Sequence, residues 1–460
     1  MIDVGWKVGL EPGTGTNHHN GALLALDNGD LLACYYNGYV ESHPDLSIGL
    51  IRLRAGARQW DKVSVWPDFL DINDASPFIF IDNGVIWLGW GSPQLGGGYP
   101  FYWTTSKDNG QSWTQLEFPI FDGHPGGYRR KQPINAVFRG PDGVLYIAYD
   151  GSRGTSGFWA MANNGKTWYA PNGRVMGLHA TFVLLDDNSI LSYGTRNTGI
   201  DGFCPKNVSR DFGETWQVSR SPMPVQRGGQ NPIMLKLKSG RLLYISNMNE
   251  AKDPALTGFT TPGAYACLSD DNGDTWKIRR LLGGQTKDKD GKAVDFRTVG
   301  YPGAQQTANG LIHLVTSRNK PDLHVELNEA WILADNDDAQ KAANTDYSPV
   351  EIKTVKHYKE SYPDGKLKAR WSAGLNREGI HLLHDWQSFY YPDGQLQWQV
   401  TFANGLKTDR ESYYRPDGTI QWRQQHNADG KSELTIFNQN GKKKAVSQWK
   451  DNKLLSYQTF

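Results

Sequence analysis

Apolar residues along this chain come in paired runs. "GALLALDNGDLLACYYNG" from Gly21, "ASPFIFIDNGVIWLGWG" from Ala75 and "INAVFRGPDGVLYIAYDG" from Ile134 each set a short polar turn between two apolar stretches. "HATFVLLDDNSILSYGTR" from His179, "NPIMLKLKSGRLLYISN" from Asn231 and "YPGAQQTANGLIHLVTSR" from Tyr301 repeat the arrangement. Two apolar runs joined by turn residues such as Asn-Gly or Asp-Gly predict a β-hairpin. Runs this continuous in apolar residues predict strands covered on both faces.

A second pattern follows the hairpins. "SKDNGQSW" ends at Trp113, "MANNGKTW" at Trp168, "SRDFGETW" at Trp216 and "SDDNGDTW" at Trp276, while "RLRAGARQW" ending at Trp60 reads as a worn fifth copy. These tryptophans fall 53, 55, 48 and 60 residues apart, so the motif marks a structural period. A third short strand precedes each octapeptide and a fourth follows its tryptophan, as in "PFYWTTS" and "TWKIRRLL". Four strands per period of about 50 residues predict an all-β propeller. Six hairpins give six blades, or seven if an irregular stretch hides another. The sixth hairpin lacks an octapeptide and runs into "HVELNEAWIL"; the opening "DVGWKVGL" is the candidate strand to complete it.

The octapeptide reads as a fold-building device. An Asp or Asn two residues before a Gly can hydrogen-bond a tight turn whose positive φ the Gly supplies. The Trp covers the blade junction. A catalytic group has no reason to recur around a ring with one centre. The pattern S-x-D-x-G-x-[ST]-W at blade period resembles the Asp-box, or bacterial neuraminidase repeat, of the sialidase superfamily, and the match spans roughly residues 1–350. The resemblance implies a sialidase-like β-propeller. That superfamily includes sialidases, other glycosidases, propeller-shaped polysaccharide lyases and non-catalytic sugar binders, so the fold alone does not choose the reaction.

From residue 351 to 460 the texture changes to a C-terminal unit. "YPDG" at 362–365 and 391–394, "RPDG" at 415–418 and related Asn-Gly or Asp-Gly turns separate strands such as "QLQWQVTF" and "TIQWRQQH". Alternating apolar and polar positions predict an antiparallel β-meander with one half-buried face. The repeats resemble MORN-type sequences, which imply no reaction. A packing module is the plain reading; a glycan-binding face carrying Trp398, Tyr413, Tyr414 and Trp422 is the other.

Composition narrows the classes. Among 460 residues, 49 Lys and Arg balance 48 Asp and Glu, giving no global pull toward nucleic acid or an anionic membrane. Cys34, Cys204 and Cys267 are odd in number and lack metal-ligand spacing, so three buried thiols are expected and a disulfide framework is not. No cofactor or metal set is signalled. "MIDVGWKVG" lacks a basic segment followed by an apolar run, so the chain as written is expected in the cytoplasm, or secreted or periplasmic if a leader has been removed.

In a propeller the loops at the ends of the innermost strands converge, and these supply the candidates. They are Asn17, His18, His19 and Asn20 at the first hairpin, Asp74 at the second, and Tyr128, Arg130, Lys131 and Gln132 at the third. His179 enters the fourth, Arg227 and Gln230 the fifth, and Tyr301 the sixth; Arg196, Asn197 and Arg318 leave second strands. The sialidase resemblance implies an arginine before the first inner strand, where this chain has His18 and His19. Histidine does not replace a bidentate arginine clamp on a carboxylate. Asp45 in "HPDLS" stands roughly where the resemblance implies an acid/base carboxyl.

These residues favour an exo-acting glycoside hydrolase that removes a terminal sugar other than sialic acid, with Asp74 or Asp45 as acid and histidine assisting. The close alternative is β-elimination at a uronic acid, for instance beneath a rhamnose cap on glucuronate, as propeller-shaped lyases do with His and Tyr. A sugar-binding propeller without catalysis is the third reading. The expected partner is an oligo- or polysaccharide in each case.

Overall fold

The computed structural model describes residues 2–4, 17–38, 46–61, 64–65, 73–91, 100–123, 132–151, 154–162, 167–195, 198–225, 231–248, 259, 263–282, 285–287, 293–295, 299–317, 323–334, 352, 354–375, 381–450 and 453–460. The six hairpins of the sequence form the first two strands of six successive antiparallel sheets. Their first strands are Asn17–Ala25, Ala75–Asp82, Gln132–Arg139, Thr181–Leu184, Ile233–Lys236 and Gly303–Gln306. Each neighbours the next, and the sixth neighbours the first. The protein is an all-β, sialidase-like propeller.

Burial explains the continuous apolar runs. Each pair of adjacent sheets encloses its own cluster, such as Leu88 and Trp90 against Cys34 and Tyr36, or Ile312 and Leu314 against Ile245 and Leu268. One cluster joins Val315 of the sixth sheet to Leu23, Ala33 and Trp60 of the first. The opening segment joins the sixth sheet: Ile2–Val4 pairs antiparallel with residues 323–325. All three cysteines are buried free thiols, and burial pushes Cys267 up to about 12. Among the described residues no helix is long and apolar enough to cross a membrane.

Three octapeptides show the same wiring. Ser106 donates to Asp108 and accepts from the Gly110 amide, while Asp108 accepts from the Gln111 and Ser112 amides at 3.0 and 2.9 Å. The Ser209–Asp211–Thr215 and Ser269–Asp271–Thr275 copies repeat it. Gly110 has φ +77°, and Asn109 before it is also left-handed at +59°. Burial pushes these three carboxyls up, yet hydrogen bonds from Ser112, Thr215 and Thr275 outweigh it and hold them below the usual range. Trp168 and Trp276 are buried, and the Trp276 indole donates to the Tyr193 hydroxyl at 3.0 Å. Residues 163–166 of the fourth copy lie outside the described residues.

The worn copy is different because something docks on it. Asp30, from the preceding hairpin turn, accepts from the Ala55 amide at 2.8 Å and pairs with Arg52 at 2.7 Å. The Gly56 carbonyl accepts from the Leu383 amide at 2.9 Å, and the Arg58 amide donates to Gly405 at 2.8 Å. Leu383 and Gly405 belong to a nine-stranded meander running from Thr354–Ser361 to Lys453–Thr459 in sequence order. Beneath this junction Lys407 is buried between Glu411 at 2.9 Å and Asp61 at 3.1 Å. The Arg54 guanidinium lies 4.1 Å from the Phe389 ring and 4.6 Å from the Trp398 ring. This corrects one expectation: Trp398 is buried at the junction, donating to Glu411 at 3.0 Å, rather than displayed to solvent. Tyr413 and Trp422 stack on each other at 5.8 Å and pack against the same apolar cluster.

Candidate functional site

His179 sits in the turn that enters the fourth sheet, with a left-handed backbone, φ +52°. That conformation costs a non-glycine residue on the order of 1–3 kcal/mol and needs a surrounding structure that enforces it. Asp150, the last residue of Leu145–Asp150, provides it. One carboxylate oxygen accepts the His179 amide at 2.8 Å, and the other meets its Nδ1 at 2.5 Å. Gly177 makes the turn possible, since a Cβ there would stand 2.4 Å from the Gly194 backbone.

A second layer fixes the aspartate. Ser156 donates to it at 3.1 Å and Gln132 at 3.2 Å; the Gln132 carbonyl in turn accepts from Ser76 at 3.2 Å. Burial pushes the Asp150 carboxyl up, but the charge and hydrogen bonds of His179 and the Gln132 amide outweigh it and leave it below its ordinary value. With Nδ1 held against the Asp150 carboxylate, the neutral tautomer of His179 carries its lone pair on Nε2. That nitrogen lies 3.5 Å from the Tyr301 hydroxyl. The two residues are 122 apart in sequence and enter the fourth and sixth sheets, so their meeting is a product of the propeller's circular order. Both are buried, 5% and 8% exposed, in an environment where proton transfer is shielded from bulk water.

The remaining candidates divide by position. Asp74 is buried, its amide bonds the Leu46 carbonyl at 3.0 Å, and its carboxylate accepts from the Tyr102 hydroxyl. Ser76, two residues on, is the link to Gln132, which places the start of the second sheet beside the aspartate's support. Asn17, His18, His19 and Asn20 lie within the first inner strand itself, with His18 paired to Asn37 and His19 to Tyr36. Gly303 approaches the Gly21 carbonyl so closely that a Cβ would stand at 3.0 Å, so the strand starts holding His19 and Tyr301 share one end of the propeller. Asp45, Tyr128, Arg130, Lys131, Arg196, Asn197, Arg227, Gln230 and Arg318 lie outside the described residues.

Sequence reasoning missed Asp150 as the partner of His179. Its signal was present: an aspartate closing a second strand in "YDG", the kind of position from which Arg196, Asn197 and Arg318 were drawn. Ser76 gave no signal, because its partner Gln132 lies on the adjacent sheet, whereas Ser156 is the cross-strand partner of Asp150 within one sheet.

A sialidase-like propeller, with Asp150, His179 and Tyr301 brought together at strand ends, is the setting of the candidate site. Residues 29–314 match the BNR repeat-like domain, well over half of the chain, and the chain belongs to that family. Among solved structures it is similar to the Hadza microbial sialidase Hz136, at 16% identity and a TM-score of 0.53, over 69% of this chain and 66% of that one. The chain thus spans just under two thirds of that sialidase. It is also similar to a protein of unknown function from Dyadobacter fermentans DSM 18053, at 15% identity and a TM-score of 0.52, over 71% of this chain and 97% of that one. At these identities the likeness is one of fold. No curated protein matches the sequence.

Proposed function

We propose that this chain is a carbohydrate-active enzyme that hydrolyses a glycosidic bond at the end of a complex glycan, with Tyr301 as nucleophile, His179 as its base and Asp150 as the residue that orients the base. The observation that carries the reading is the order Tyr301 hydroxyl, His179 Nε2, His179 Nδ1, Asp150 carboxylate. A weak nucleophile within reach of a base, the base held by a third group, is the arrangement covalent catalysis requires. A tyrosine nucleophile has precedent among glycosidases. The Tyr301 oxygen bonds to the anomeric carbon as its proton passes to His179. The bond to the departing sugar oxygen breaks, and that oxygen takes a proton from a carboxyl group, for which Asp74 and Asp45 are the candidates. Water then attacks the anomeric carbon as the carboxylate takes one of its protons, and the departing Tyr301 oxygen takes back the proton held by His179. Two displacements retain the anomeric configuration.

The family and the sialidase fold support a glycan as substrate. His18 and His19, in place of the first clamp arginine, support a terminal sugar other than sialic acid. The His179–Tyr301 pair also supports a second reading. At a uronic acid, His179 would remove the C5 proton and Tyr301 would protonate the oxygen leaving C4, with a C4–C5 double bond formed. Arg130, Arg196, Arg227 and Arg318 are the candidates to hold its carboxylate.

One experiment separates the two. Terminal sugar released with retained configuration, and a glycosyl adduct on Tyr301 trapped with a 2-fluoro sugar, are expected for the hydrolase. Ultraviolet absorbance from a 4,5-unsaturated uronate would give the site to elimination instead.

A further inference from the structure

The sixth sheet carries a cluster that the reading above does not use. His313 lies on Leu311–Val315, and His324 and Glu326 on the adjacent Leu323–Asn328. His313 is paired across the strands with Glu326, and His324 stands two residues from Glu326, so strand alternation puts all three side chains on one face. The Nδ1 of His313 and the Nε2 of His324 face each other at 3.1 Å, and a Glu326 oxygen lies 3.7 Å from the same Nδ1. One donor atom from each residue falls within 4.8 Å of the other two.

We propose that His313, His324 and Glu326 bind a divalent transition-metal ion of the zinc class. Two imidazoles and a carboxylate are the donor set that zinc accepts, and imidazole excludes calcium and magnesium as preferred occupants. Bonds of about 2.0–2.1 Å in tetrahedral geometry put ligand atoms roughly 3.3 Å apart, close to the two nearest separations here. The Glu326 arm has tenths of an ångström to close toward His313, and its rotation must also bring it in from within 4.8 Å of His324. The histidines are 7% and 3% exposed, and the Trp60 ring meets His324 edge-on at 5.2 Å, which shields the site with the first sheet.

The position gives the ion a structural role. Asp3 of the opening strand pairs with His324, so the ion would sit where the chain's first strand is stitched to the last sheet. Zinc would therefore stabilise that junction.

The test uses the full chain without a polyhistidine tag, stripped with a chelator and titrated with Zn(II) and Co(II). Stoichiometric Zn(II) uptake, an intense visible Co(II) spectrum of low coordination number, and a melting temperature that rises with metal are expected. His324→Gln and Glu326→Gln should each weaken binding about tenfold or more. Because a variant could misfold, the titration of the unaltered chain decides by itself. Failure to take up Zn(II) or Co(II) stoichiometrically would overturn the site, as would uptake undiminished in a correctly folded His313→Gln/His324→Gln variant.

Discussion

At the level of single residues, Asp150 is the pivot of the cluster. Its carboxylate fixes both the backbone and the ring of His179. Asp150→Asn keeps the size and an acceptor but offers the ring an amide, which favours the wrong tautomer. The expected result is a fall in kcat on the order of 10³–10⁴-fold with KM little changed, measured by steady-state kinetics on the glycan identified as substrate. A change confined to KM would contradict the orienting role. His179 and Tyr301 were legible in the sequence because hairpin entrances are where chemistry gathers in a propeller. Asp150 was not singled out, because its value depends on a left-handed turn at His179 that a histidine codon does not announce.

At the scale of elements, the Asp-box is a turn held by one carboxylate. Asp211→Ala removes the acceptor of the Thr215 amide and hydroxyl. Losing hydrogen bonds to a charged group should cost about 1.5–3 kcal/mol in denaturant unfolding while leaving activity intact. The pH dependence has a fixed sign. Asp108, Asp211 and Asp271 are depressed in the folded state, so their contribution is complete above the ordinary carboxylate value of about 3.9. It is lost as pH falls through their lower folded values, and the triple Asp→Asn variant should show a flatter acid limb in melting experiments. The hairpins and their order were legible because both-face burial writes continuous apolar runs. The worn copy at Gly56 was legible as a departure, but its cause was not: the docking surface comes from Leu383 and Gly405, more than three hundred residues away.

At the scale of the whole molecule, the C-terminal sheet is fastened through a buried charge network. Lys407 is held above its ordinary value: burial lowers it, and Glu411 and Asp61 more than offset that. The junction should therefore keep its strength below about pH 10.4 and lose it only as pH rises through the folded value. Lys407→Met removes the cation that Glu411 and Asp61 share, while Arg54 still meets Asp61 and His426 still meets Glu411, both at 2.8 Å, so the cost should lie toward the low end of about 3–5 kcal/mol. Unfolding of that variant, followed by tryptophan fluorescence and calorimetry, should split into two transitions where the unaltered chain shows one. A single unshifted transition would mean that the sheet is held by its apolar contacts alone.

The Asp150–His179–Tyr301 cluster is proposed to cleave a glycosidic bond. The most direct measurement is product formation from a panel of plant, algal and microbial glycans, with Tyr301→Phe and His179→Gln run alongside the unaltered chain. A terminal sugar released with retained configuration, and loss of that release in both variants, are expected. Cleavage that persists in both, or binding of a glycan that the unaltered chain never cleaves, would contradict that proposal.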